Sequence, residues 1–149
     1  SRPGAICGHR ATGFANRRDF TALLLRACRA VGAVVQPCDV MLHWVPVDVV
    51  SSTIAESLTS TKTGEFVNIA WDGPLLADVL KATQLPSVSA EQWRASVVQQ
   101  EETQGVRDLL LRFEWFVNRD PKAVVQSAKE GNAVTPEQIY SFVRNVFDN

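Results

Sequence analysis

The chain has 149 residues, 46% of them hydrophobic and 21% charged, with a formal net charge of −1 at pH 7. That length suits one domain with a single core, and the composition is that of a soluble globular protein rather than a disordered one. Balanced charge excludes a whole-protein basic field that would draw the chain to nucleic acid or an anionic membrane. Its apolar runs are too short to span a bilayer, and the first residues carry no apolar signal segment, so a cytoplasmic location is expected.

Taken in chain order, the first element is the short apolar run Ala5–Cys7, which stops at Gly8 as the end of a strand would. Residues 15–32 read as a helix. Phe20, Leu23, Leu24, Ala27 and Val31 recur at helical spacing, Asn16 with Asp19 forms a capping pair, and Gly32 closes the end. Residues 40–45, "VMLHWV", have strand composition. A second helix is expected from about Asp48, which can cap it, with Val50, Ile54 and Leu58 on one face. A polar loop, "TSTKTGE", leads to residues 66–70, "FVNIA", the best strand in the sequence. Another strand-to-helix passage follows, with Asp72 near the cap and Pro74 in the first turn.

Beyond this point the pattern is nearly all helical. Ser89 and Gln92 make a capping box before Trp93, Val97 and Val98, and residues 106–117 carry a stripe of Val106, Leu109, Leu110, Phe113 and Phe116. The clearest helix opens at Thr135, with Pro136 at its first position and Gln138 closing the box. Ile139, Phe142, Val143 and Val146 form its buried face. Two or three strands, each leading toward a helix, imply parallel pairing in an α/β fold.

The sequence offers little free-standing chemistry. Gly4, Gly8 and Gly13 match neither G-x-G-x-x-G nor a P-loop, which leaves a glycine-rich turn as the simpler reading. His9 and His43 lack the partners of a hydrolase triad or a zinc protease. Cys7, Cys28 and Cys38 are odd in number and contain no C-x-x-C pair, so reduced, partly buried thiols are expected rather than disulfides or a metal site. Tyr140 with Arg144 has the spacing of a reductase Tyr–Lys pair, but arginine replaces lysine on an amphipathic helix, and a helix-face aromatic explains Tyr140 better. Tryptophans 44, 71, 93 and 115 read as packing residues, with Trp44 kept as a pocket candidate because it precedes the "PVD" turn.

The stretch "RPGAICGHRATGFANRRDF", followed downstream by "HWVPVDVVSSTIAESL", resembles the C-terminal half of thioester reductase domains. These are extended short-chain dehydrogenases/reductases that end polyketide synthases and nonribosomal peptide synthetases; aminoadipate and carboxylic acid reductases look similar. The motif residues are Arg2, Pro3, Gly4, Ile6, Gly8, Thr12 and Gly13, then Pro46, Val47 and Asp48. The "FVNIA" and "VSAEQW" stretches fit the same pattern, and the likeness weakens after about Trp93.

The resemblance implies the C-terminal part of a Rossmann-type extended short-chain reductase, with two or three strands and a mostly helical substrate-binding subdomain. Residues 1–85 would be the remnant of the Rossmann domain and 86–149 the helical portion, in one compact unit. It also implies that the dinucleotide loop and the catalytic Ser/Thr, Tyr and Lys lie upstream, so that the chain alone is inactive and binds NADPH weakly. Pro3, Gly4, Ala5 and Ile6 would border the nicotinamide. Gly8, His9 and Arg10, with Trp44, Val45 and Pro46, would border the acyl substrate or its phosphopantetheine arm. Asp48 is assigned mainly to helix capping, with a functional role second.

The implied reaction is NADPH-dependent reduction of a carrier-bound thioester to an aldehyde. The implied partners are an acyl-carrier protein and the upstream half of the domain, with no nucleic acid and no membrane. An open sheet edge would allow self-association. A carrier-docking module without chemistry, or a reductase-like cyclisation domain without redox, are the alternatives.

Overall fold

The computed structural model describes residues 2–3, 5–36, 40–59, 68–101, 103, 107 and 128–148. The opening segment splits into two strands, β1 (Arg2–Pro3) and β2 (Ala5–Cys7). Then come α1 (Phe20–Val31), β3 (Val34–Gln36), β4 (Trp44–Pro46), α2 (Val47–Thr59) and β5 (Asn68–Asp72). The remaining elements are α3 (Leu76–Lys81), β6 (Ser87–Ser89), α4 (Ala90–Gln99), β7 (Ala128–Ala133) and α5 (Pro136–Asp148).

Every pairing between these strands is parallel: β2 with β4, β3 with β6, and β5 with both β1 and β7. The α/β class and the parallel pairing agree with the sequence reading. The strands are shorter and more numerous than periodicity suggests, because two- and three-residue ladders carry too few alternations to register. Residues 40–45 do not form one strand. Met41 instead makes an isolated antiparallel bridge to Leu75, the Leu42 N–H donates to the Pro74 carbonyl at 2.9 Å, and the Leu76 N–H donates to Val40 at 2.7 Å. Gly73 allows this close approach, since a Cβ there would run into the Leu42 carbonyl. As a result, α3 starts two residues beyond Pro74, and Asp72 ends β5 instead of capping the helix.

Local chemistry explains the helix ends. Asp19, not Asn16, caps α1, and its carboxylate accepts the Thr21 N–H at 3.0 Å. Asn16 makes the preceding turn by accepting the Arg18 N–H. Burial pushes the Asp19 carboxyl above its usual range, against the opposing pull of N–H donors from Thr21, Ala22 and Phe20. Gly32 closes α1 in the left-handed region at φ +74°. The expected capping boxes, Ser89 with Gln92 and Thr135 with Gln138, are both present. The residue 106–117 stripe lies outside the described residues apart from Arg107, as does Cys38. β7 shows that the C-terminal portion is not purely helical.

One core joins most of these elements. Leu24, Leu25, Ala27 and Cys28 of α1 meet Val34 and Val35 of β3, Trp93 and Val97 of α4, and Phe142 and Val143 of α5. The face of α1 is rotated from the one expected: Phe20, Leu23 and Val31 are only half-buried, while Leu25 and Cys28 are fully covered. Trp93 fixes α4 by donating its indole N–H to the Ala33 carbonyl at 3.1 Å. A smaller cluster holds Val45, Val50 and Ile69, with Val49 and Trp71 against it. No described helix is long and apolar enough to cross a membrane.

Candidate substrate cleft

The site begins at the end of β2. Parallel pairing sets Cys7 beside Pro46, so the chain leaving β2 and the chain entering α2 emerge at the same edge. Pro46 has no N–H to carry the ladder further, and α2 begins at once at Val47. The loop after β2 is a closed turn: the His9 N–H donates to the Phe14 carbonyl at 2.9 Å and the Gly13 N–H to the His9 carbonyl at 2.8 Å. Gly13 sits at φ +68°, and a Cβ there would strike the Ser141 carbonyl of α5. Gly8 is equally confined, since a Cβ would come within 2.5 Å of the Gly13 carbonyl oxygen and 3.1 Å of the Phe142 ring. These two glycines are what let the loop lie flat against α5.

Asp48 has a different task from the capping expected of it. It stands inside the first turn of α2, where the helix dipole favours its charge. Both carboxylate oxygens reach Arg10: Oδ1 accepts its backbone N–H at 3.1 Å and Oδ2 its Nε–H at 2.6 Å. Partial burial works to raise the Asp48 carboxyl, and the hydrogen bonds and charge of Arg10 outweigh it, holding it below the usual carboxylate range. The sequence showed both residues but gave no sign of the pair, which forms only when parallel pairing brings the two strand ends together.

Between this loop, β4 and α5 lies a shallow, open cleft. Trp44, Pro46, Val134 and Phe142 supply apolar walls, and Cys7, Gly8, His9, Arg10 and Gln138 complete the lining. The Trp44 and Phe142 rings meet edge to face, with centroids 4.8 Å apart and planes at 66°. Burial pushes the Cys7 thiol up to about 12, so it is no nucleophile at neutral pH.

Five of the six residues expected to border the substrate therefore come together: Gly8, His9, Arg10, Trp44 and Pro46. Val45 does not line the cleft. Strand alternation turns it to the opposite side, where it is fully buried against Val50 and Ile69. Of the residues expected at a nicotinamide, Pro3 pairs with Ile69 and Gly4 lies outside the described residues. Ala5 and Ile6 are solvent-exposed along β2, Ile6 by 40%.

The sequence implies a helical substrate-binding portion but does not mark Val134, Gln138 and Phe142 as cleft residues, although Phe142 is expected to be buried. The Thr135–Gln138 capping box is the signal that could have located the first two. Trp71 is half-buried in the smaller cluster, Trp93 is in the main core, and Trp115 lies outside the described residues. His43 is half-buried just before β4 and is not part of the cleft. A second shallow opening, between α1 and α5, is bordered by Arg17, Arg26, Asn145 and Val146 and contains none of the residues the resemblance assigns to a site.

Comparison with known proteins bears on the fold. No protein-family model matches the chain. The nonribosomal peptide synthetase hkm10 of Aspergillus hancockii is 38% identical over 60 residues, which is 40% of this chain and 6% of that protein. The nonribosomal peptide synthetase FrzA of a Cladobotryum species is 43% identical over 53 residues, 36% of this chain and 5% of that protein. Among solved structures, the terminal R domain from the myxalamid PKS-NRPS biosynthetic pathway superposes with a TM-score of 0.70 at 19% identity, over 99% of this chain and 43% of that chain. This chain thus spans a small part of those synthetases and less than half of the R domain. The resemblance seen in the sequence stands at the level of the fold: the chain is folded like part of a PKS-NRPS terminal R domain, and its sequence relatives are nonribosomal peptide synthetases.

Proposed function

We propose that this chain is the substrate-binding portion of an NADPH-dependent thioester reductase that releases a carrier-bound acyl chain as an aldehyde. The cleft between the Gly8–Gly13 loop, Trp44 and α5 carries this reading, because apolar walls and a polar rim meet there in a chain folded like part of an R domain, as one border of an acyl-binding groove would. The exposed apolar edge at Ala5 and Ile6 fits the flat face of a nicotinamide ring, and NADPH bound there would supply the hydride. The chain's own residues would hold the acyl group, orient its carbonyl toward β2 and keep water away with Trp44 and Phe142. In this reading residues 1–85 complete a dinucleotide-binding domain, and residues 86–149 close over the substrate. The pyrophosphate site and the proton-donating residues belong to the part of the R domain that this chain does not span. The acyl group would arrive on the phosphopantetheine arm of a carrier protein.

Two titrations of the 149-residue chain test the proposal. Octanoyl-loaded carrier protein should bind saturably and shift the amide resonances of residues 8–13, whereas NADPH alone should not saturate at millimolar concentration. Absence of carrier binding would remove the substrate-binding assignment. Tight NADPH binding would show that the dinucleotide site lies within this chain.

A further inference from the structure

Charge is unevenly spread along the chain. Arg2, Arg10, Arg17, Arg18, Arg26 and Arg29 all precede residue 39, against the single carboxylate Asp19, although the whole chain carries a net charge of −1. Asp19 is committed to the start of α1, where it accepts the Thr21 N–H, and Arg10 is matched by Asp48. Arg17, Arg18, Arg26 and Arg29 are exposed, and no ion pair among the described residues engages them.

The fold gathers three of these charges at one seam. Arg26 and Arg29 are three residues apart on α1 and therefore neighbours on its surface. The Arg29 guanidinium stands 5.6 Å from the centroid of the Phe147 ring of α5, which holds its charge at the junction of the two helices. Arg17 and Arg26 border the shallow opening between α1 and α5, whose apolar lining is Ala15, Ala22 and Val146. This opening adjoins the cleft along two elements. The segment after β2 supplies Gly8, His9 and Arg10 to the cleft and then Ala15 and Arg17 to the opening, while α5 gives Gln138 and Phe142 to the first and Asn145 and Val146 to the second. Gln138 and Asn145 are seven residues apart, about 10 Å along the helix axis.

We infer that the arginine face at the α1–α5 seam is the docking surface for the protein that delivers the acyl chain, which meets it with an acidic patch. This rests on the acyl-binding assignment above and adds where the carrier sits and what chemistry it presents. A tethered acyl group enters the cleft efficiently only if its carrier is anchored within reach, since anchoring raises the local concentration of the tethered group. Guanidinium groups around a small apolar opening suit carboxylates flanking an apolar side chain, and they steer an acidic partner from a distance. The rest of the chain is net acidic, which repels the long phosphate array of a nucleic acid, whereas a compact acidic protein face meets only this patch.

Two probes separate docking from acyl binding: an octanoyl-loaded carrier protein and octanoyl-pantetheine, the same arm without the protein. Both are titrated into the 15N-labelled chain, with the amides of residues 8–13 reporting the cleft and those of Arg26 and Asn145 reporting the seam. The carrier protein should bind more tightly than the free arm and shift both sets, whereas the arm should shift only the first. Arg26→Glu should weaken the carrier at least about fivefold at low ionic strength, and Arg26→Gln by less in the same direction. Neither variant should change binding of the arm, and the loss should shrink at about 0.5 M salt, where screening is short-ranged. Lys81→Glu makes the same change of charge on α3, at an exposed position bordering neither opening, and should leave the carrier unaffected. Unchanged urea midpoints establish that the variants fold.

A carrier protein that bound no tighter than the free arm, or that was indifferent to Arg26→Glu, would overturn the docking surface while leaving acyl binding intact. An equal loss from Lys81→Glu would also overturn it, by reducing the effect to overall charge. If octanoyl-pantetheine moved no cleft resonance in the folded chain, the acyl-binding assignment would fall and this inference with it.

Discussion

Asp48 ties two strand ends together through both of its carboxylate oxygens, and Arg10 is fixed by backbone and side chain alike. Exposure and solvent screening keep the value of such a pair modest, so Asp48→Asn should cost about 1 kcal/mol at neutral pH. The dependence on pH has a definite sign. A carboxyl held low in the folded state contributes stability fully above its unfolded value, near 4, and loses that contribution as pH falls through the folded value. Urea midpoints of wild type and Asp48→Asn should therefore differ at pH 7 and converge in acid. A difference that persists unchanged to pH 2 would show that the carboxylate charge is not what holds the loop.

Two glycines separate backbone strain from crowding. Gly13 and Gly32 both have positive φ, +68° and +74°, but only Gly13 presses on a neighbour, the Ser141 carbonyl, while nothing stands near Gly32. Gly32→Ala should cost about 1–2 kcal/mol from conformation alone. Gly13→Ala should cost about 3 kcal/mol or more, because the loop must also lift from α5. Chemical denaturation of both variants checks this, and equal losses would mean that the loop does not dock as described.

Among the elements, what could be read from the sequence was local. The α4 and α5 starts were legible because a capping box is written within four consecutive residues, and the Gly32 stop because one residue type prefers the left-handed region. Helix α1 was legible at its Gly32 end but not at its start, which lies at Phe20 and not near residue 15, nor in orientation, since its flanks are apolar enough for either face to serve. β3, β6 and the division of the opening segment into β1 and β2 were not legible. A three-residue parallel strand is defined by a partner far along the chain, and Val34 acquires its identity only from Ser87. The cleft was half-legible for the same reason. The β2 loop and the residues before α2 carry a recognisable motif, whereas Val134, Gln138 and Phe142 join them only through tertiary packing.

At the scale of the molecule, Phe142 links fold to site, since it belongs to the main core and also packs edge to face on Trp44 in the cleft wall. The lining of the cleft is thus an extension of the core, and the shape offered to a ligand depends on the same packing that stabilises the chain. On the other side, α2 buries only Val50, with Ile54 partly open and Leu58 81% exposed. The expected apolar stripe of this helix is therefore real in sequence but largely uncovered in the structure.

The parallel ladders also govern how the chain reaches this state. Arg2 must find Asn68, Ala5 must find Trp44 and Val34 must find Ser87, so each ladder closes a loop tens of residues long before gaining its first hydrogen bond. The helices need no such search, because their caps lie within a turn. Refolding from urea should accordingly be stepwise: helical circular dichroism returns early, and the fluorescence change that reports burial of Trp44 follows on the slower timescale of non-local topologies. Simultaneous recovery of both signals within milliseconds would show that the ladders do not limit the rate.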